Sequence, residues 1–548
     1  MRAPLLAALL APTMLLATPG APQVPTRGPE SVAGSVEVSI TNLDVVVVDS
    51  SGGRVPGLTR EDFEVREGGR TQPITNSSEV RRGVLVVAPG GASGPPAAAP
   101  EDPPAPAPPR TRMIVFVDNA SLAPADRVRV LASVRDFLSM DLNGSTEVMA
   151  VSWGLALHVH QAFTTNAGEV RRALERIEGE AAGGMLRASR RRELIREIDD
   201  IVSGLQPGGD VNARTRAYCA SLQGEIRGTL AALQACVERL AGFGGRKVLL
   251  VVTQGLPQSP GLEIWQYVDD AQHGFPTAAL KARDYDLTSN YEDLVRTANA
   301  AGVTLYTVDA TGLGVNASVS AESPTTLAHL DGSLDRSNLQ SMERLIAEQT
   351  GGSAIVNANN VSAGLAEVAE DGASHYSLGY PSTGAALDRP RTITVAVKRK
   401  GLVARFRRSL VEKSARTRVT EAVRTALYLP RGDNPLDLTL EVGEARRAAG
   451  GTVTVSLRLG VPWSRLSVPG PGKRGVKLSV FVAALDEEAR ETEVMSQEMS
   501  AVPAPGEPLY HLELSLSLRP GKNRLSIALR DEATGLVSFA QKALAVPR

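Results

Sequence analysis

Three observations predict a multidomain chain in which a central, doubly wound (Rossmann-like) α/β domain sits between a small N-terminal β-domain and a C-terminal β-sandwich. Apolar runs at 113–117, 248–252 and 303–308 alternate with helical periodicity, as parallel strands buried on both faces do. A Pro- and Ala-crowded stretch, PPAAAPEDPPAPAPP, separates this region from an earlier set of strand-like runs. From about residue 433, alternating runs divided by Gly, Pro and charged turns recur at sandwich spacing.

The boundaries that follow are 1–21 for a secretory signal, 34–84 for the small β-domain, 85–110 for the linker, 111–410 for the α/β domain and 433–548 for the sandwich. One Arg, an apolar run over 5–16 and small residues to Ala21 make the signal segment, so export to the periplasm or beyond is expected. After it, no stretch approaches the roughly 20 apolar residues of a membrane-spanning helix. Lys and Arg number 59 against 60 Asp and Glu, which supplies no basic field for nucleic acid.

Within 34–84, SVEVSITNLDVVVVD and DFEVREGG read as strands ending in turns. In the α/β domain, Pro124 suits the first turn of a helix carrying Val128, Leu131, Val134 and Leu138. Two strands over 147–153 and 156–163 flank a Gly turn, and Asn166 with Glu169 opens a second helix. GGMLRASRRRELIR reads as a basic, irregular piece before a long helix over about 213–240. Residues 374–380 are expected as a fourth strand of the sheet. The two cysteines, Cys219 and Cys236, lie about 25 Å apart along one unbroken helix, so a disulfide requires a break at Gly224 or Gly228.

The stretch RMIVFVDNASL at 112–122 delivers a carboxylate, Asp118, to the C-terminal end of a buried strand, the edge where parallel sheets bind ligands. It resembles the first strand of von Willebrand factor A-type domains, whose metal site opens with Asp-x-Ser-x-Ser. The string from Leu43 to Gly68, with GRKVLLVV at 245–252 and HYSLGY at 375–380, resembles the exported bacterial group of such proteins. That resemblance implies a cation held by five ligands, of which this chain keeps Asp118. The Ser positions are Ala120 and Leu122, the Thr position falls near Met185, and the second Asp is Gln254. A hard cation needs several oxygens at once, so neither a metal nor a cofactor is expected.

The expected role is therefore an exported, non-enzymatic protein-interaction or adhesion-type protein, with Asp118, Asn119, Ser121 and Gln254 meeting a protein partner. The alternatives are a metal-dependent adhesion domain with substitute ligands and an exported hydrolase. No nucleophile elbow, HExxH or Walker loop appears. His158 and His160 share a strand face that zinc could use, but a plain surface pair is the expectation. The basic run 187–192 reads as a solvated helix flank, and Arg431-Gly432-Asp433 as an inter-domain turn.

Overall fold

The computed structural model describes residues 40–81, 84–86, 111–141, 146–273, 275–312, 332–381, 387–448, 451–468, 475–503 and 506–547. The expected signal segment and linker residues 87–110 lie outside them. Three layered bodies share these residues.

The first is a six-stranded mixed sheet. Strand Thr111–Asp118 lies at its centre, with Thr146–Trp153 and the antiparallel Leu157–Thr164 on one side. Lys247–Thr253, Val303–Asp309 and Ala354–Ile355 lie parallel on the other side. Numbered along the chain, the order is 3-2-1-4-5-6, which places a topological switch point between the first and fourth strands.

Side chains alternate along the central strand and so feed two cores. Ile114 and Phe116 pack with helices Val211–Ala241, Thr288–Ala301 and Gly332–Gln349. Met113, Val115 and Val117 pack with Pro124–Asp141, Ala167–Glu178 and Ser362–Ala373. Asn166 caps its helix as expected, accepting from the Gly168 and Glu169 amides. Val128 is exposed and Val130 takes its place in the core.

Two readings of this region change. The piece expected as irregular is helix Gly184–Val202, whose Leu194, Ile195 and Ile198 pack against Cys219, Ile264 and Trp265. Its arginines masked that stripe in the sequence. The long helix is continuous through Gly224 and Gly228, and both cysteines are free and buried.

The second body differs most from expectation. Strand Ile40–Val48 pairs on one edge with His375–Pro381 and on the other with Val403–Phe406. Phe63–Glu67 pairs with Pro390–Val397, and Asn76–Arg81 with His375–Pro381. The N-terminal strands are therefore half of a sandwich that the segment 375–411 completes, and the two sheets close on Leu43, Val45, Phe63, Val65, Tyr376, Tyr380 and Ile393. Neither 34–84 nor 111–410 is a self-contained block, because strand edges this apolar need partners and find them across the chain. His375–Pro381 leaves the parallel sheet altogether, and residues 85 and 86, expected in the linker, belong to strand Val84–Val86.

Asp371 locks the α/β body to this sandwich. Fully buried, it receives Arg54 from the N-terminal segment, Arg405 (2.6 Å) from the returning strand and the Tyr306 hydroxyl (2.9 Å) from the central sheet.

The third body is the expected C-terminal sandwich, which ends with strand Val537–Val546. A three-stranded and a four-stranded antiparallel sheet close over one core. Its outer face, at Phe481, Ala483, Ala528 and Phe539, continues into helix Ala415–Ala426 and the long helix, so it is docked rather than tethered. Glu491 pins the contact by pairing with Arg239 of the long helix (2.9 Å) and Arg424 of helix Ala415–Ala426 (3.4 Å). Arg431 ion-pairs with Asp433 and lies over the Phe539 ring, as befits a packed turn.

Two outcomes follow. Removing one partner of a buried ion cluster strands the others, so Asp371→Ala should lower the unfolding free energy by about 3 kcal/mol in a urea titration. A change indistinguishable from a surface substitution would show that the junction is held otherwise. Burial pushes both thiols up to about 12, so native protein at pH 8 should resist alkylation and gain two adducts by mass once denatured.

Candidate functional site

The switch point assembles around the end of the central strand. The Asp118 carboxylate accepts from Thr253 Oγ1 at 3.0 Å, and the Ser121 and Thr253 hydroxyls meet at 3.2 Å. The Gln254 amide donates to Ser121 Oγ (3.1 Å). Its side chain spans the gap to the next helix, accepting from the Ala123 amide (2.7 Å) and donating to Asp126 (3.1 Å). Gln254 thereby satisfies a backbone donor that the start of a helix otherwise leaves open.

Asn119 is held from the other side. It donates to Glu180 (2.5 Å) and accepts from Arg127 Nη1 (3.0 Å). Arg127 also donates to the carbonyls of Glu178 and Glu180. His160 joins through Glu180 (3.1 Å) and Ser152 (2.8 Å), whereas His158 on the same strand is exposed. The histidine pair is thus not a shared metal face. The basic run is spent in part on Glu225, which pairs with Arg187 and Arg190.

Gly183 and Gly184 make the approach of the second loop possible. Their amides donate to the carbonyls of Asn119 and Leu122. A Cβ at Gly183 would lie 2.6 Å from the Ala120 oxygen, and one at Gly184 2.4 Å from that of Ser121. The loop expected to supply a Thr ligand therefore arrives at the right place with backbone only.

All four residues singled out in the sequence, Asp118, Asn119, Ser121 and Gln254, come together. Three of them, Asp118, Asn119 and Ser121, are buried and engaged internally, which corrects the expectation that they touch a partner directly. The burial of Asn119 also closes the Asn-x-Ser sequon that begins there. Among the described residues, large apolar side chains stand outward at this edge: Leu155 in the turn beside Trp153, and Met185 and Leu186 just after the glycine pair.

Arg127, Glu180 and Glu343 were not legible as site residues. Glu343 is fully buried on helix Gly332–Gln349, and burial, reinforced by Asp309, raises its carboxyl well above the usual range. A Glu in a helical run carries no mark of such a position. Burial likewise raises Asp118, against the pull of Arg187 and of its Ser121 and Thr253 bonds.

The donor set does not fit the family's cation. Asp118 brings one carboxylate, with one oxygen bonded to Thr253 and the other buried without a hydrogen bond among the described residues. Leu122 is turned into the core, and Gln254 is committed to Ala123 and Asp126. Replacements for the other four ligands would have to be recruited from elsewhere.

A cation bound a hundredfold below its concentration would add about 2.7 kcal/mol, so millimolar Mg2+, Mn2+ or Ca2+ should leave the melting curve where EDTA leaves it. A rise that disappears in Asp118→Ala would restore a metal site. A carboxyl raised in the folded state contributes stability that is complete below its unfolded pKa and drains away as pH climbs through the folded one. Asp118→Asn should therefore gain on the parent as the pH rises above the carboxylate range, read from melts at stepped pH; a constant difference would mean Asp118 carries its charge without penalty.

No family model matches the sequence, and no curated protein matches it. Among solved structures, an aerotolerance-related membrane protein from Bacteroides fragilis is 16% identical, over 48% of this chain and 98% of that one, with a TM-score of 0.22. The conserved protein BatB from Bacteroides thetaiotaomicron is 11% identical over 48% and 96%, with a TM-score of 0.23. Three N-terminal domains of the type V pili tip protein Mfa5 from Porphyromonas gingivalis are 10% identical over 92% and 98%, with a TM-score of 0.25. At these scores none of the likenesses bears on the site.

Proposed function

We propose that the chain is an exported, non-enzymatic protein-interaction or adhesion-type protein, built on a von Willebrand A-type domain whose metal site is largely lost. The carrying observation is the apolar rim of the switch-point edge. Leu155 is fully solvent-exposed, and Met185 and Leu186 are 63% and 61% exposed, around a centre closed by internal hydrogen bonds. Single exposed apolar residues are ordinary, but three of them, at the hairpin turn and at the start of helix Gly184–Val202, flank a ligand-binding edge, and we read them as the contact surface. In this reading Asp118, Asn119, Ser121 and Gln254 position the loops, and the rim meets the partner. No helix among the described residues is long and apolar enough to cross a membrane.

One observation favours the second reading, a metal-dependent adhesion domain with substitute ligands. It is the buried Asp118 oxygen that has no hydrogen bond among the described residues.

The test uses a photo-crosslinking residue at 155 or 186, with exposed Val502 as the control position, in the chain's own envelope fraction. A discrete adduct from the rim positions, absent at 502 and removed by Met185→Glu, is the expected result. Equal labelling at all three positions would remove the rim as the contact.

A further inference from the structure

The opposite end of the central sheet holds an arrangement that the switch point does not use. Lys247 opens its strand there, and Gly302 immediately precedes the next, with both ends facing the sandwich where strand Val403–Phe406 runs into Arg407. Two cavities adjoin at this junction, of about 120 and 270 Å³, and share Lys247, Gly302 and Arg407. The inner one is also lined by Arg246, Arg405 and Asp44, the outer one by Lys413 and Asn299.

Most of these cations are already spoken for. Arg405 belongs to Asp371, Lys413 pairs with Glu421, and Arg246 donates to the Tyr306 hydroxyl (2.8 Å). Lys247 and Arg407 are different. Lys247 donates to the Phe243 carbonyl (3.0 Å), and among the described residues no carboxylate stands within ion-pairing reach of it. The Arg407 guanidinium has neither a hydrogen bond nor an ion pair among those residues. Their tips converge: a Cβ built on Gly302 would lie 2.8 Å from Arg407 Nη1 and 3.5 Å from Lys247 Nζ. Asp44 is exposed at the margin and acts on Arg407 and Arg246 at longer range.

Two cations held together at a half-enclosed site repel one another and forgo hydration, and an anion between them relieves both costs. We propose that this cleft binds a compact tetrahedral dianion of the phosphate or sulfate class, with Lys247 and Arg407 as its direct ligands and Lys413 at the outer mouth. A fork of guanidinium donors and a point-charge ammonium are the complementary pair for such an oxyanion. Burial first, then Lys413, Arg407 and Arg112, against the pull of Glu421, push the Lys247 ammonium down to about 7. Binding therefore strengthens as pH falls through neutrality, where Lys247 regains its proton.

The test is equilibrium dialysis of the full chain with labelled inorganic phosphate and, separately, labelled sulfate, at constant ionic strength set with chloride. One saturable equivalent per chain, displaced by the other anion, is expected. Sulfate, whose charge is fixed, should bind more tightly at pH 6 than at pH 8. Arg407→Gln and Lys247→Met should each weaken binding about tenfold or more, the loss expected for one charge-assisted hydrogen bond. A preference between the two anions assigns the phosphoryl or the sulfuryl source. No saturable uptake by the parent at millimolar anion overturns the site, and so does uptake undiminished in both variants. The first of these outcomes needs no variant to fold, and neither touches the switch-point edge.

Discussion

One buried carboxylate governs how this chain is put together. Asp371 ends the last helix of the α/β body without access to water, and a carboxylate there is tolerable only if its charge is met on several sides. Arg54, Arg405 and Tyr306 meet it, one from the strand region that opens the sandwich, one from the strand that closes it and one from the central sheet. Three segments remote in sequence are thus fixed relative to one another by a single ion. The cations of the proposed anion cleft line the same junction, so both its structural lock and its candidate ligand site arise from joining two bodies through polar groups.

The α/β body is an insertion. Its sheet begins at Thr111 and its last helix ends at Ala373, and the chain on either side returns to one sandwich. The insertion brings both ends of the α/β body to the N-terminal edge of its sheet and leaves the C-terminal edge, with Leu155, Met185 and Leu186, facing away from the sandwich strands. The proposed interaction edge and the anchoring edge are separated by the length of the strands.

Much of this was legible, and the failures have physical causes. Buried parallel strands announce themselves by unbroken apolar runs, so 113–117, 248–252 and 303–308 were read correctly, and the carboxylate at the end of the first run lies at the switch point of the sheet. Strand pairing, by contrast, is not local. HYSLGY has the same apolar character whether it continues a parallel sheet or joins an antiparallel one, and nothing in Ile40–Val48 says that its partner comes from His375–Pro381. The site showed the same divide. Loop residues with chemical character were found, while Arg127, Glu180 and Glu343 owe their roles to burial and to partners from other elements. Polar residues at a ligand edge were read as facing outward, although hydrogen bonds to Thr253, Gln254 and Arg127 turn them in.

The divided sandwich also sets a schedule for the nascent chain. Tyr376 bonds the Val55 carbonyl across 321 residues, a span in which the whole α/β body must be made before the first sandwich can close. Loop-closure entropy grows only slowly with length, so the finished product bears little penalty. The waiting period is another matter. Val45, Val46 and Val47 form an apolar strand with both edges open until the far segment emerges, which is the condition under which β-rich intermediates stick to one another. A chaperone that keeps the chain extended until its end is available would serve this topology better than folding in order of synthesis.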